Sequence, residues 1–287
     1  MTGFDDVDFD SATKPSFDIA IPQKRTSSTL SSSSKPKKKR QRKNNKTQAP
    51  PEPKSNPAIP NANPLTPLQQ KMQKKLEGAR FRQINELLYT SPSSDSLKMF
   101  SEEPSLGQIY HRGFAEQVKS WPVNPVNVII RKLSRLPTTS VVADLGCGEA
   151  KIAQSLKCKV HSFDIFPIND HVTKADMCDI PLPDGSVDVV VCCLSLMGTN
   201  LLSFFKEASR LLKLNGSFHI AEVSSRFDDV AEFNSALRLL GFASKHKDSS
   251  NSHFILLEFR KSRELDESKF EQAKSKLVLN PCIYKRR

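Results

Sequence analysis

The sequence predicts an α/β fold: a doubly wound, mostly parallel seven-stranded sheet, preceded by a small helical forepart and a basic tail. Three observations predict it. From residue 140 onward, short apolar runs alternate with amphipathic ones, the rhythm of strands and helices in a parallel sheet. The run 187–193 is an apolar strand of the kind covered on both faces. The stretch Val141-Val142-Ala143-Asp144-Leu145-Gly146-Cys147-Gly148-Glu149-Ala150 reads as a buried strand entering a glycine turn and then a helix.

The elements follow in chain order. Residues 1–64 are rich in Ser, Pro, Lys and Asn, and ten of the 19 prolines precede residue 68. Such a segment buries too little apolar surface to offset its ordering entropy, so it reads as a disordered tail. Residues 65–135 read as a helical forepart covering the ligand site. Within it 67–89 spaces Leu68, Met72, Leu76, Ile84, Leu87 and Leu88 as a helix does, although Gly78 breaks the pattern midway. A second helix is expected at 126–130. Residues 136–287 read as the catalytic-type domain, with strands at 140–144, 159–164, 172–175, 187–193 and 217–223. Helices are expected from about 149, over 201–212 (ended by Asn215-Gly216) and over 230–240 (ended by Gly241). Two late strands, 242–245 and 253–259, close the edge as a hairpin.

Composition narrows the function. The chain of 287 residues has 43 Lys/Arg against 31 Asp/Glu, a net +12, and residues 1–75 hold 15 basic and 6 acidic residues, +9 of that total. Eight of the twelve residues 35–46 are basic, as in a nuclear address or a segment that displaces counterions from nucleic-acid phosphates. The six cysteines (Cys147, Cys158, Cys178, Cys192, Cys193, Cys282) form no CxxC pair and sit mostly beside apolar strands, so neither a metal site nor a disulfide framework is expected. No apolar run reaches the roughly 18–20 residues of a membrane span. The acidic, polar start does not resemble a signal peptide. An intracellular, soluble protein is expected.

The strand–turn–helix with an acid, Asp164, at the end of the next strand is the layout of a nucleoside-cofactor site. A dinucleotide fingerprint needs a third glycine three residues after Gly148, but that position is Lys151, which disfavours NAD and FAD. Asp164 can accept from both ribose hydroxyls. Asp176-Met177, after the third strand, places an acid for an adenine amino group and an apolar cover for its ring. Gly146 lets a ligand group approach the turn. As an ordered set these residues suit S-adenosylmethionine.

Those residues, with Ile180-Pro181-Leu182-Pro183-Asp184-Gly185-Ser186-Val187-Asp188, resemble the Rossmann-like class I S-adenosylmethionine-dependent methyltransferases. Four further stretches resemble the nucleomethylin, or ribosomal RNA-processing protein 8, family more narrowly. They are Gly78-Ala79-Arg80-Phe81-Arg82, the run from Tyr110-His111 to Asn124-Pro125, Cys193-Leu194-Ser195-Leu196-Met197-Gly198-Thr199-Asn200, and Ala221-Glu222-Val223-Ser224-Ser225-Arg226-Phe227. The ending, Asn280-Pro281-Cys282-Ile283-Tyr284-Lys285-Arg286-Arg287, resembles it as well.

The resemblance implies a nuclear, nucleolar enzyme that methylates N1 of an adenosine in large-subunit (25S/28S) rRNA during ribosome biogenesis. Its partners would be rRNA and the pre-ribosome. It implies cofactor contacts at His111, Gly146, Asp164, Asp176, Met177 and Cys193. No general base is expected, because adenine N1 attacks with its own lone pair. Ser195, Met197, Asn200, Glu222 and Arg226 follow strands four and five and are candidates for the target pocket. Two other readings stand beside this one: a small-molecule methyltransferase sharing the Pro-Leu-Pro-Asp-Gly-Ser pattern, and a cofactor-sensing adaptor for chromatin and rDNA silencing, with chromatin as its partner.

Overall fold

A computed structural model describes residues 65–284; the basic tail and the last three residues lie outside the described residues. The seven strands are β1 (Val141–Leu145), β2 (Lys159–Asp164), β3 (Val172–Lys174), β4 (Val187–Cys193), β5 (Leu212–Val223), β6 (Phe242–Asp248) and β7 (Phe254–Lys261). They form one sheet in the order β3-β2-β1-β4-β5-β7-β6. The pairs among β1 to β5 are parallel, and β7 runs antiparallel between β5 and β6. The strand order turns back between β1 and β4. That is the switch point at which ligands settle over the carboxyl ends of an open α/β sheet.

Alternation along the central strands explains why they are largely apolar on both faces. Val142, Val189 and Val191 face one side and pack on Ile129, Leu133 and Ile152. Ala143, Leu145, Val190 and Cys192 face the other and pack with Phe204, Phe205, Leu211 and Phe218. All are nearly inaccessible to water, so each methylene removed from water contributes roughly 0.8 kcal/mol.

The forepart contains more helix than its sequence suggested. Helix α1 (Pro67–Thr90) starts with Pro67 and a capping box, in which the Thr66 N–H donates to Gln69 Oε1 at 2.9 Å and the Gln69 N–H to Thr66 Oγ1 at 3.3 Å. It runs unbroken through Gly78; the cost of about 1 kcal/mol for an interior glycine is offset by burial of Phe81, Ile84 and Leu88 one to three turns later. Helices α2 (Ser93–Glu102) and α3 (Pro104–Val118) were not foreseen. Helix α4 (Pro125–Leu133) begins where Asn124 Oδ1 accepts from the Val126 N–H. Gly113 lets α3 lie against α1, since a Cβ there would stand 2.4 Å from the Phe81 ring. Among these elements the boundary expected at 135/136 falls inside one compact unit, Leu65–Arg287.

Three bounds shift. The helix expected from about 149 is a five-residue turn, α5 (Lys151–Ser155), because Gly148 and Ala150 both adopt positive φ and delay it. Helix α6 (Leu201–Leu211) gives way directly to β5, which pairs Leu212 with Val187 before bulging; Asn215, at φ 70°, belongs to that irregularity rather than to a helix cap. Helix α7 (Val230–Leu239) does end at Gly241, as read. A further short helix, α8 (Phe270–Lys276), packs beside α7 and leads into the C-terminal segment.

Candidate functional site

A cavity of about 400 Å³ opens over the carboxyl ends of β1, β2 and β4, roofed by α3. Its floor is the glycine turn. The turn's N–H groups are spent inside the protein: those of Gly146 and Cys147 donate to Phe163 O at 2.8 and 3.0 Å, and that of Gly148 to Asp164 Oδ2 at 2.9 Å. Gly146 has φ 72°, and a Cβ on it would lie 2.3 Å from Ser195 Cβ. The glycine is therefore demanded by the left-handed turn and by the chain after β4. Ser195 in turn anchors there, donating from Oγ to Leu145 O at 2.6 Å.

Three carboxyl groups enter the cavity in a row. Asp164, ending β2, accepts the Gly148 and Phe166 N–H groups with its two oxygens and has His111 Nε2 3.9 Å from Oδ1. His111 lies on α3, stacked on Phe166 with ring centroids 5.9 Å apart, so the roof and the β2 loop close on the same acid. Asp176 accepts from Ser93 Oγ at 2.8 Å and from the Cys178 N–H at 2.9 Å. Asp144, ending β1, was read only as part of the glycine turn. It is 2% exposed, lines the cavity, and its carboxyl accepts no hydrogen bond from the described residues. Burial, with the Asp164 carboxylate beside it, pushes the Asp144 carboxyl up to about 7. A buried acid without a protein partner is costly unless a cationic or hydrogen-donating ligand group reaches it.

That shift has a measurable sign. The folded state holds the Asp144 proton to higher pH than the unfolded chain, so this group's stabilisation is complete below about pH 4 and is lost as pH rises through about 7. Relative to Asp144→Asn, the wild-type protein without ligand is expected to lose about 2–3 kcal/mol of stability between pH 5 and pH 8. Urea denaturation of both proteins at the two pH values measures it. A constant difference would show that Asp144 is ionised throughout.

The remaining site residues divide. His111, Gly146, Asp164, Asp176, Met177, Cys193, Ser195 and Met197 line the cavity together. Asn200, Glu222 and Arg226 do not. Asn200 ties the loop after β4 to α2: its Oδ1 accepts from the Ser93 N–H at 3.1 Å and its Nδ2 donates to Ser93 Oγ at 2.9 Å. Glu222 and Arg226 are 0% and 2% exposed and form an ion pair of 2.8 Å. Glu222 Oε1 accepts from the Leu196 N–H, while Arg226 donates to the carbonyls of Leu196 and Asn280. Glu222 near the end of β5 and Arg226 just after it lie where the sequence reading put them, but their side chains turn inward to clamp the loop that carries Ser195 and Met197. Burial pushes the Cys147 and Cys193 thiols upward, so both stay protonated and neither is a nucleophile. Among the described residues no group of His, Cys, Asp and Glu could hold a metal ion.

Sequence reasoning placed the forepart over the site but, apart from His111, not the residues of the roof. Tyr110, Phe114, Ala115, Val118 and Lys119 reach the cavity from α3 with His111, spaced at one, three and four residues as one face of a helix. The signal was present in the spacing, but Pro92 and Pro104 at the starts of α2 and α3 read equally as turns.

Comparison with known proteins agrees with this geometry. A family model described as "Hypothetical methyltransferase" matches residues 67–287. The mouse protein named ribosomal RNA-processing protein 8 is 46% identical over 242 residues, which cover 84% of this chain and 52% of that protein. The chain thus spans about half the length of that relative. The proteins named 25S rRNA (adenine(645)-N(1))-methyltransferase from Schizosaccharomyces pombe and Saccharomyces cerevisiae are 46% and 40% identical, covering 78% and 82% of this chain and 73% and 75% of their own lengths. With a family model matched over more than half its residues and relatives at this identity, the chain belongs to the ribosomal RNA-processing protein 8 family of methyltransferases.

Proposed function

We propose that this protein is an S-adenosylmethionine-dependent rRNA methyltransferase that modifies N1 of an adenosine in large-subunit rRNA, working in the nucleolus during ribosome biogenesis. The observation that carries the reading is the row Asp144, Asp164 and Asp176 at the strand ends, in a chain 40–46% identical to proteins named for that reaction. The residues fit the cofactor. Asp144 is an unpartnered buried acid suited to a cationic amino group, Asp164 still has lone pairs for ribose hydroxyls, and Asp176 lies beside Met177 and Phe100 as an acceptor at an apolar wall. When bound, S-adenosylmethionine supplies an electrophilic methyl group carried on a sulfonium.

The chain's own residues then have to position, not to abstract. Adenine N1 has a lone pair, so no proton must leave before it takes the methyl group, and the ring accepts the positive charge that the sulfonium gives up. The loop after β4 agrees with this: Ser195 Oγ is committed to Leu145 O, and the Cys193 thiol stays neutral. His111 and α3 exclude water above the acids. The basic run 35–46 supplies phosphate contacts and a nuclear address.

The test is reverse transcription across large-subunit rRNA from cells lacking the protein. The expected result is loss of one N1-methyladenosine stop, restored by the wild-type chain and not by a chain unable to bind the cofactor. Binding of the purified protein to large-subunit rRNA should also weaken steeply with salt. An unchanged stop pattern with salt-insensitive binding would favour a small-molecule substrate.

A further inference from the structure

Five aromatic rings link the helical forepart to the end of the cavity. Tyr284 packs on Phe81 with centroids 5.4 Å apart, Phe81 stacks on Tyr110 at 5.8 Å and 27°, and Tyr110 stacks on Phe114 at 6.2 Å and 25°. Trp121 meets Phe114 edge-on at 5.8 Å and 83°. Phe114 is the last near-parallel rung, and it borders the cavity with Val118, Asn124, Cys193 and Leu194. Among the described residues no further ring stacks parallel to it. Leu194, also in the cavity lining, is held at φ 58°, a conformation that a leucine rarely adopts. It is kept there by its N–H donating to Ala221 O at 2.8 Å and by packing in the cluster that contains Tyr89, Trp121 and Phe254.

The part of the cavity lining formed by Phe114, Val118 and Leu194 is apolar and carries no carboxyl group, unlike the strand ends with Asp144, Asp164 and Asp176. We propose that it is the subsite of the target base: an unstacked purine lies against Phe114 as the next rung of the ladder, between α3 and the Leu194 loop. The proposal rests on the rRNA reading above. A base taken out of its helix loses its stacking partners, and an aromatic face replaces them. Methylation at N1 leaves the purine cationic, and the face of an aromatic ring attracts a cation. Asn124 adds a polar contact, since Oδ1 is used on the Val126 N–H while Nδ2 donates to none of the described residues.

Trp121, the only tryptophan of the chain, reports on this subsite because it touches Phe114. The experiment titrates the protein, saturated with S-adenosylhomocysteine, with a short uridine RNA containing one adenosine and follows tryptophan fluorescence. Saturable quenching is expected for the wild type and, within about threefold in affinity, for Phe114→Tyr. Phe114→Leu should weaken it about tenfold or more, the worth of one base–aromatic stack, while the affinity for S-adenosylhomocysteine stays within about twofold. Retained cofactor affinity also shows that each variant is folded. Unchanged RNA affinity in Phe114→Leu, equal quenching by all-uridine RNA, or a parallel loss of cofactor affinity would each overturn the subsite. If the titration succeeds while rRNA from cells lacking the protein keeps all its N1-methyladenosine stops, the subsite stands and the rRNA reading fails.

Discussion

Arg226→Met is expected to destabilise the protein by about 3–5 kcal/mol, the cost of stripping a buried carboxylate of its paired cation. Glu222 is fully buried and its Oε2 lies 2.8 Å from Arg226 Nη1. The guanidinium also stacks over Tyr89 at 4.7 Å and holds the carbonyls of Leu196 and Asn280. The C-terminal segment is tied in at two more points, where the Asn280 N–H donates to Arg226 O and Asn85 Nδ2 to Cys282 O at 2.7 Å. Urea unfolding should show a lower midpoint for Arg226→Met. Glu222→Gln combined with Arg226→Met should recover most of the loss, because the paired charge is removed whole. A single variant as stable as wild type would mean that the pair is not desolvated in solution.

Asp164→Ala is expected to reduce affinity for S-adenosylhomocysteine by at least about 100-fold, measured by calorimetry. Two effects combine. The ligand loses its acceptor, and the glycine turn loses the carboxylate that receives the Gly148 and Phe166 N–H groups. Asp164→Asn separates the two: its amide retains one acceptor for the turn but carries no charge toward His111. It should bind with intermediate affinity. Binding by Asp164→Ala within about fivefold of wild type would remove this residue from the site. Both variants should leave the Asp176 side of the cavity intact, since Ser93 and Cys178 hold that carboxylate independently.

Most of the sheet was legible in the residues. Strands β1, β2, β3 and β4 lie within one residue of their expected bounds; β1 and β4 are the most apolar, because a central parallel strand is covered on both faces. The row Asp164, Asp176 and Met177 was legible for a related reason: each follows an apolar run, and the ends of such runs share one edge of the sheet. Helices α2 and α3 were not read because a proline, Pro92 or Pro104, stands at the start of each and equally suits a turn, and the positions they bury include Ser96 and Gly107 instead of a row of large apolar side chains. Arg226 shows the limit on the site. Its place after β5 was apparent, whereas the direction of its side chain depends on Asn280, 54 residues away.

What the sequence by itself determined is local in origin: the order of strands and helices, the glycine turn between β1 and α5, the acid after β2, and the concentration of positive charge before residue 76. These follow from side-chain periodicity and backbone preference among near neighbours. The tertiary structure alone decided three things. Gly146 is a glycine because Ser195, about fifty residues on, occupies the space of its Cβ. Glu222 and Arg226 clamp a loop instead of lining the pocket. Asp144 faces the cavity without a partner. Each depends on which distant groups share a few ångströms of space, and packing of the whole chain sets that, not the pattern along it.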